Sequence, residues 1–304
     1  MIDPLRPSAP VAPRFDSDLN AWVLSRYADV TTALEDPNLK VGTPDGEAHA
    51  RMRDSAVARL SSVRLPAACA QWDVPQTSRV DLIRDVAEPW CLKVAAAVAR
   101  LPLEAARELI PLTYDIFQAA AGPLHPERQR NGLHATAELL KTFTGDDGAL
   151  NLQAFVALSQ TLPRFLTNSW LALLLHPEQM QILRETPRQM ATGIEELLRY
   201  AGPAAVQFRN GYSKPDDRVM LMIASADRDP AQFKSPDVLD LTRTPPRHLA
   251  LGHGVHACIG AALIRTAASS AMSMFVTRFH HAEIVECKVS QDFAIRSLES
   301  LVCI

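Results

Sequence analysis

The chain has 304 residues, of which 47% are hydrophobic and 21% are charged, and its formal net charge at pH 7 is −3. These values fit a soluble globular protein with a sizeable core, and the weak acidic balance, with Arg and Lys scattered along the chain, excludes the basic surface of a nucleic-acid-binding protein. Five cysteines without regular spacing give no disulfide framework. We see no leader segment and no apolar stretch long enough to cross a bilayer, so we expect a cytoplasmic protein with no membrane partner.

The residue pattern predicts a mainly α-helical fold with small β-sheets. Residues 1–16, which carry four prolines in the first 13 positions, are predicted to form an extended arm, and residues 17–304 are predicted to form a single domain. A strand over 21–26 is predicted to lead into a helix over 27–35, which ends at an Asp-Pro pair. Further helices are predicted over 46–61, 80–100, 103–117, 131–143, 152–175 and 193–200, and strands over 206–210, over 219–223 and within 282–304.

The helix over 152–175 is predicted to be the central one. Its apolar side chains recur at helical spacing, and they are Phe155, Leu158, Leu162, Phe165, Leu166, Trp170 and Leu173. Pro163 lies inside this helix, where it removes one backbone hydrogen bond at a typical cost of about 3 kcal/mol and frees the carbonyl of Ser159. Arg164 lies on the same helix face as Ala157 and Thr161, where it either holds a substrate carboxylate or simply reaches solvent.

A glycine-rich stretch with one cysteine lies at residues 250–260, which read Ala-Leu-Gly-His-Gly-Val-His-Ala-Cys-Ile-Gly. Gly252 and Gly254 allow a tightly folded loop, because glycine accepts a positive φ. A helix that begins just after Cys258 directs backbone N–H groups and the positive end of its dipole at the sulfur, and both favour a thiolate. Gly260 lets another group approach closely, since it has no Cβ. A turn with a buried structural cysteine is the alternative.

The run from Arg247 to Gly260 resembles the haem-binding loop of the cytochrome P450 superfamily, Phe-x-x-Gly-x-Gly-x-His/Arg-x-Cys-x-Gly, in its bacterial soluble form. The resemblance implies a cytochrome P450-like haem-thiolate fold, haem b (iron protoporphyrin IX) as the cofactor, and Cys258 as the metal ligand on the iron. Leu251 stands where the family usually has Phe beside the sulfur, which should change packing but not ligation.

A second part of the resemblance is the segment Glu-Glu-Leu-Leu-Arg-Tyr at residues 195–200. Glu196 and Arg199 match the family's Glu-x-x-Arg pair, which forms a buried network beneath the haem. A surface ion pair worth about 0.2–0.5 kcal/mol is the alternative. The segment over 224–233 resembles the family's Ala-Asn-Arg-Asp-Pro-x-x-Phe, with Asp227 in place of Asn.

The resemblance also implies which residues contact the haem. His49 and Arg53, one turn apart on the helix over 46–61, match a His-x-x-x-Arg pair that reaches the haem propionates, although the same spacing also fits a solvated polar face. Arg209 and His248 match two further propionate donors. The remaining residues at cofactor-binding positions are Ala157, Gly252, His256 and Gly260.

The sequence departs from the family on the substrate side. Residues 157–161 match the oxygen-activation motif Ala-Gly-x-Asp/Glu-Thr, and this makes Thr161 and Gln160 the candidate catalytic residues. Gln160 replaces the acid and cannot titrate near neutral pH, while Leu158 replaces the glycine and is expected to intrude on the space for oxygen and water. The chain over 40–49 is short where the family has a loop that roofs the substrate pocket, so we expect parts of the substrate-side lid to be missing.

Three functions remain open. The first is a haem-thiolate monooxygenase that acts on a small organic, secondary-metabolite substrate with electrons from a ferredoxin and a ferredoxin reductase. The second, which Gln160 and Leu158 favour, is a haem-thiolate enzyme driven by peroxide or working as an isomerase, dehydratase or cyclase. The third is a non-catalytic haem-binding relative. A zinc site formed by His253, His256 and Cys258 is disfavoured, because it lacks the second ligand pair of structural zinc sites.

The departures are not evenly distributed between the two sides of the expected haem site. Residues that hold haem are kept, while segments that enclose substrate are shortened. We therefore expect haem to bind and the distal face to be unusually open. A partner subunit, as in a homo-oligomer, or a carrier-bound substrate would then close this face.

Overall fold

α-Helices make up most of the structure, which is a computed structural model. They are α1 (Tyr27–Glu35), α2 (Glu47–Ser61), α3 (Glu88–Ala99), α4 (Leu103–Glu108), α5 (Ile110–Ala121), α6 (Pro126–Thr142), α7 (Gly148–Val156), α8 (Leu162–Leu175), α9 (Pro177–Glu185), α10 (Met190–Ala201), α11 (Ile223–Ala226) and α12 (Ala261–Arg278). Two π-helical segments, Leu82–Ala87 and Ala157–Thr161, run directly into α3 and α8.

The structure describes residues 3–36, 38–39, 47–65, 69, 71–75, 77–122, 124–211, 217–244, 247–292 and 294–304, and of residues 48 and 49 it describes the backbone alone. Within these ranges, no helix combines the length and the apolar character that a bilayer crossing requires.

The strands form two small sheets. They are β1 (Arg14–Asp16), β2 (Ala21–Leu24), β3 (Val80–Asp81), β4 (Gln207–Asn210), β5 (Arg218–Leu221), β6 (Ile284–Val289) and β7 (Leu298–Cys303). One sheet has the order β1-β2-β5-β4, in which only β2 and β5 are parallel, and the other has the antiparallel order β3-β7-β6. Trp22 lies opposite Val219, which is fully buried. This pairing fixes the amino-terminal part of the chain to the sheet that carries β4.

The helical core is built around the central helix, which comprises α7, the π segment and α8. Trp170 is fully buried on α8 and stacks on Phe275 of α12 with ring centroids 4.9 Å apart. Phe279 continues the stack at 5.6 Å from Phe275, and Trp72 meets Trp170 edge-on at 5.3 Å. Aromatic pairs of this kind contribute about 0.5–1.5 kcal/mol each beyond the area they bury. The stack therefore ties α8, α12 and the segment before β3 into one packed unit.

The predicted mainly α-helical fold with small sheets is confirmed, although several elements have different ends. α1 has the predicted bounds. The predicted helix over 103–117 is two helices, because Pro111 at the start of α5 has no N–H with which to continue the hydrogen-bond ladder of α4. The predicted helix over 80–100 begins instead with β3 and a π-helical segment. Most of the short stretch over 40–49 lies outside the described residues.

A buried ion pair lies at the centre of the fold, on α10. Arg199 Nε and Nη2 donate to the two carboxylate oxygens of Glu196, both at 2.7 Å, and the side chains are 0% and 1% exposed. Arg199 Nη1 also donates to the carbonyl of Asp227 at 2.8 Å, and Arg243 donates to Glu196 from another loop. The prediction of a buried network is thus confirmed, and the alternative of a surface ion pair is wrong.

Asp227 holds the start of the glycine-rich loop. Its carboxylate is 1% exposed and accepts a hydrogen bond of 2.7 Å from the backbone N–H of Leu249. Burial raises the pKa of Asp227 to about 6, and the positive charges of Arg199 and Arg296 only partly oppose this. The chain therefore keeps a carboxylate where the charged form is disfavoured.

We predict that Asp227→Asn stabilises the protein above pH 6. The folded pKa of about 6 lies above the ordinary value of 3.8, so between these values the folded protein keeps a proton that the unfolded chain has lost. The contribution of Asp227 to stability is thus greatest below pH 3.8 and is lost as the pH rises through 6. The difference between variant and wild type in urea unfolding should grow from near zero at low pH to about 2–3 kcal/mol at pH 7.

Asp146→Asn is the matched control, because it makes the same exchange at an exposed loop position. It should change the free energy of unfolding by less than about 0.5 kcal/mol at any pH. A constant difference between Asp227→Asn and wild type over the whole pH range would contradict the assignment.

Candidate functional site

The loop before α12 folds back tightly around its two glycines. Gly252 and Gly254 have φ values of +73° and +69°, in the left-handed region that favours glycine. A Cβ on Gly254 would lie 3.0 Å from the carbonyl oxygen of Leu34, so α1 packs against this loop. The backbone N–H of Cys258 donates to the carbonyl of Leu251 at 2.7 Å and closes the loop. Both positions thus have the positive φ for which the sequence predicts glycine.

The thiol of Cys258 is accessible yet surrounded by protein. The residue is exposed, but burial among neighbouring groups raises the pKa of its thiol. The backbone N–H of Gly260 and the positive charges of Arg53 and Arg265 act in the opposite direction and favour the thiolate. A group that is both reachable and desolvated lies in a concave cleft, so the alternative of a buried structural cysteine is wrong. A metal ion bound at the sulfur would favour the thiolate further.

Two elements bring basic side chains to this cleft. Arg53 on α2 is half-buried and acts on the thiol of Cys258, and the side chain of His49, one turn earlier, lies outside the described residues. His256 is half-buried in the single turn Gly254–His256 just before the cysteine. Arg53, His256 and Cys258 are thus close together, as the sequence predicts.

Arg209 on β4 is a buried cation whose acceptors among the described residues are neutral. The side chain is 8% exposed and donates to the carbonyl of Phe208 at 3.2 Å and to the side-chain oxygen of Gln207 at 3.1 Å. No carboxylate in the described part of the chain forms an ion pair with it, and burial lowers its pKa. Burying a charge without a counter-charge is costly. An anionic group of a ligand would supply the counter-charge that Arg209 lacks among the described residues.

His248 is occupied by a different contact from the one that the sequence predicts. Its Nε2 lies 3.2 Å from a carboxylate oxygen of Glu195, and its side chain is 4% exposed. Arg265 of α12 binds both oxygens of the same carboxylate at 2.6 and 2.8 Å. Burial alone would raise the pKa of Glu195, but the hydrogen bonds from Arg265 and His248 lower it to about 2. This placement gives His248 a bracing role between α10, α12 and the loop. The Nδ1 atom of its imidazole is buried without a hydrogen bond to any described residue, so the predicted contact with a propionate stays a prediction.

The central helix is distended just before Pro163, the residue that the sequence predicts to interrupt its hydrogen bonds. The π segment spans Ala157–Thr161, and Pro163 follows as the second residue of α8. Ala157 and Thr161 are half-buried, and the hydroxyl of Thr161 has no hydrogen bond to any described residue. The predicted intrusion of Leu158 is wrong: a side chain that borders an open cleft stays accessible, whereas Leu158 is 1% exposed and packs in the main core.

Gln160 and Arg164 connect the central helix to α5. The amide of Gln160 is 5% exposed and donates to the hydroxyl of Thr113 at 2.8 Å. Arg164 Nη1 donates to the backbone carbonyl of Gln160, and its guanidinium lies 3.7 Å from the ring centroid of Phe117. Burial lowers the pKa of Arg164, so this side chain does not simply reach solvent. Gln160 thus holds α5 in place and, in this arrangement, does not face Thr161 as part of a proton relay.

Sequence reasoning missed three residues of this site because their partners are distant in sequence. Thr113 and Phe117 are ordinary helix residues until α5 lies on the central helix, and Arg265 meets Glu195 across 70 positions. The zinc alternative receives no support, because His253 is bound to Glu35 at 2.7 Å and the described residues hold no group of three metal-ligating side chains.

Comparisons with known proteins agree on one class. No family model matches the chain. The biotin biosynthesis cytochrome P450 of Bacillus subtilis is 36% identical over 157 residues, which cover 48% of the chain and 40% of that relative. The chain thus spans about two fifths of the length of this curated relative.

Two solved structures match over nearly the whole chain. One is P450BioI in complex with a hexadec-9Z-enoic acid ligated acyl carrier protein, with a TM-score of 0.78 and 23% identity over 93% of this chain and 91% of the other. The second is described as an unusual cytochrome P450-like monooxygenase involved in microbial secondary metabolism, with a TM-score of 0.82 and 19% identity over 99% and 97%.

The fold around the loop that carries Cys258 is that of the cytochromes P450. The chain is related to the bacterial cytochromes P450, since its curated relatives and its structural neighbours are cytochromes P450, and it is shorter than they are.

The residues present fit haem b. A porphyrin iron needs an accessible sulfur, which Cys258 provides, and its two propionates need buried or half-buried cations. Arg209 is a buried cation without a carboxylate partner in the described chain, and Arg53 faces the same cleft as the sulfur. These side chains therefore match the iron and the propionates of haem b, and Arg209 is the strongest evidence for the match.

We predict opposite effects of Arg209→Leu with and without haem. Without haem the variant should be at least as stable as the wild type, since it removes a buried charge that lacks a carboxylate partner. Its affinity for hemin should fall about tenfold, because a charge-assisted hydrogen bond to a propionate is lost. Hemin titration and urea unfolding measure the two effects.

Arg218→Leu is the matched control, since it removes an exposed arginine from the neighbouring strand β5. It should leave hemin affinity within about twofold of the wild type. Equal hemin affinity for Arg209→Leu and wild type would show that Arg209 holds no propionate.

Proposed function

We propose that the chain binds haem b through Cys258 and works as an oxidoreductase of the cytochrome P450 type. The observation that carries the proposal is the accessible, desolvated thiol at the start of α12. It is supported by the donor set of the cleft and by the relationship to cytochromes P450. A thiolate-bound haem supplies an electron-rich iron that favours cleavage of the O–O bond.

The residues of the chain have separate tasks in this proposal. Cys258 ligates, and the N–H of Gly260 together with the charge of Arg53 favours its ionised form. Arg209 neutralises a propionate, and Thr161, the last residue of the distended turn of the central helix, presents its hydroxyl. Gly252 keeps the loop folded, and the remaining predicted contacts come from His49, Ala157, His248 and His256.

We further propose a small organic substrate of secondary metabolism, free or attached to a carrier. The two structural neighbours named above support this, one by its acyl carrier protein complex and the other by its description. Electron supply by a ferredoxin and a ferredoxin reductase, a cytoplasmic location and closure of the distal face by a homo-oligomer partner belong to the same proposal.

We predict that Cys258→Ala abolishes the reduced carbon-monoxide absorption band that is typical of thiolate haem. The variant lacks the sulfur, so a bound haem takes another axial ligand and its spectrum changes. Cys287→Ala, which removes the other exposed thiol, is the matched control and should keep the band. A wild-type protein that purifies colourless and does not take up hemin would refute the proposal as a whole. An unchanged band in Cys258→Ala would refute only the ligand assignment.

A second candidate function has one specific observation in its favour. Gln160 occupies the place of the family's acid, yet its amide is held by Thr113 and lies within 3.2 Å of Arg164. A residue that neither titrates nor moves freely does not deliver protons. We therefore propose, as the alternative, haem-thiolate chemistry that does not use this relay, such as a peroxide-driven reaction, an isomerisation, a dehydration or a cyclisation.

Gln160→Glu separates the two candidates. For a weakened monooxygenase, the new carboxylate should raise NAD(P)H consumption in the presence of ferredoxin and its reductase. For the alternative, NAD(P)H consumption should stay at background while peroxide-dependent oxidation of guaiacol is as fast as in the wild type. Gln160→Met, which removes the polar group and keeps the length, is the control for loss of the contact with Thr113. Increased NAD(P)H consumption with Gln160→Glu alone would rule out the alternative.

A further inference from the structure

A cavity of about 410 Å³ lies between the amino-terminal arm, the sheet β1-β2-β5-β4 and the segment after β6. Its volume falls in the range of small-molecule sites. None of the residues that we place in the cleft of Cys258 borders it. The apolar side chains of its lining include Leu5, Leu19, Val206, Met220, Met222 and Val289. The cavity is therefore a candidate site of its own, with room for an apolar molecule.

Arg296 on the cavity wall is a half-buried cation whose acceptors in the described chain are all backbone carbonyls. Its Nε and Nη2 donate to the carbonyl of Gly202 at 3.1 and 2.5 Å. Its Nη1 donates to the carbonyls of Leu5 and Tyr200 at 3.2 and 3.3 Å. These bonds use four of the five N–H groups of the guanidinium. One N–H on Nη2 is thus left for an acceptor from outside the described chain.

The charges near Arg296 leave it without a counter-charge of its own. Burial and the positive charge of Arg228 lower the pKa of Arg296 to about 10. The charges of Asp3 and Asp227 oppose this shift only in part, and Asp3 is paired with Arg228 at 3.3 Å. Burying a cation without a paired anion is costly. A negative group of a ligand would remove this cost.

The carboxyl end of α10 accounts for part of the arrangement. Tyr200 and Gly202 lie at this end, where the carbonyls of a helix together carry about half an elementary negative charge. They orient the guanidinium of Arg296 and offset about half of its charge. The rest of the positive charge borders a cavity that has a mostly apolar lining.

The other charged groups on the border of the cavity are already paired. Asp292 pairs with Arg128 of α6 at 2.8 Å, and Arg6 pairs with Asp237. Because of its partner, Asp292 repels an anion in the cavity less than a free carboxylate would. Among these border residues, Arg296 is thus the one whose charge is not matched by an ion pair, and it selects for a negative group on the ligand.

The amino-terminal arm fixes the cation relative to the apolar wall. The carbonyl of Leu5 binds Arg296, and further along the arm the N–H of Val11 donates to the hydroxyl of Ser25 at 2.8 Å. The arm residues on the lining are Pro4, Leu5, Arg6, Pro7 and Ser8. The sequence predicts an extended arm here, and the structure gives that arm a cavity to border.

We propose that this cavity binds a monocarboxylate with an apolar body of one or two rings. The carboxylate pairs with the guanidinium of Arg296, and the rings lie against Met220 and Met222, whose flexible side chains adapt to varied apolar shapes. A hydrogen bond between an arginine and a carboxylate is about twice as strong as one between neutral groups. The negative charge therefore decides which ligands bind tightly. The site lies outside the cleft of Cys258, so the proposal does not rest on the proposed function.

Isothermal titration calorimetry of the protein as purified, with 1-naphthoate at pH 7, tests the proposal. We expect one molecule bound per chain and at least about tenfold weaker binding of 1-naphthamide, which has nearly the same shape and no charge. Arg296→Gln should bind 1-naphthoate at least about tenfold more weakly than the wild type and 1-naphthamide equally well. Arg218→Gln, which removes an exposed arginine from β5, is the matched control and should bind both compounds as the wild type does.

Leu19→Trp tests the place of binding independently of charge, and it keeps the test decisive if Arg296→Gln does not fold. The new indole fills the cavity from a half-buried position and should weaken both compounds at least about tenfold. Val285→Trp adds a tryptophan at an exposed position of β6 and should bind both compounds as the wild type does.

Absence of heat with the folded wild type would overturn the proposal, and so would equal affinity of the wild type for 1-naphthoate and 1-naphthamide. Binding that Arg296→Gln keeps and Arg209→Leu loses would also overturn it, since the carboxylate would then lie against Arg209. None of these measurements uses bound haem, so a failure here is distinct from a failure of haem binding.

Discussion

The candidate site depends on one thiol, that of Cys258. This residue stays exposed although burial among neighbouring groups disfavours the charged form of its thiol. The loop that carries Cys258 has little structure of its own beyond two left-handed glycines and one closing hydrogen bond. Two carboxylates fix it in place. Asp227 accepts a hydrogen bond from the backbone N–H of Leu249, and Glu195 contacts both His248 and Arg265 of α12. These two carboxylates fix the backbone of the loop, and the loop leaves Cys258 exposed.

Features that depend on neighbouring residues could be predicted from the sequence. The glycine loop and the ion pair between Glu196 and Arg199 are each specified within a few positions, by φ requirements or by helix spacing. The fold class follows from the same local information, since helix periodicity and short β-runs are strong signals. Arg209 could be placed on a strand, but its lack of a counter-charge is visible only in the structure.

Features that depend on side-chain direction or distant partners could not be predicted. The motif match places Leu158 beside the space for oxygen, whereas Leu158 packs in the core, as the apolar spacing of the central helix predicts. Gln160 donates to Thr113 on another helix, and this partner is 47 positions away. The contact of His248 with Glu195 could not be predicted for a related reason, because the two residues are 53 positions apart.

The contacts between α5 and the central helix have a mechanical consequence. The hydrogen bond from Gln160 to Thr113 and the stacking of Arg164 on Phe117 bracket the turn that presents Thr161. A displacement of α5 would break both contacts, and the turn would then lose two of the restraints on its shape. The position of α5 and the geometry of the turn that carries Thr161 are thus linked.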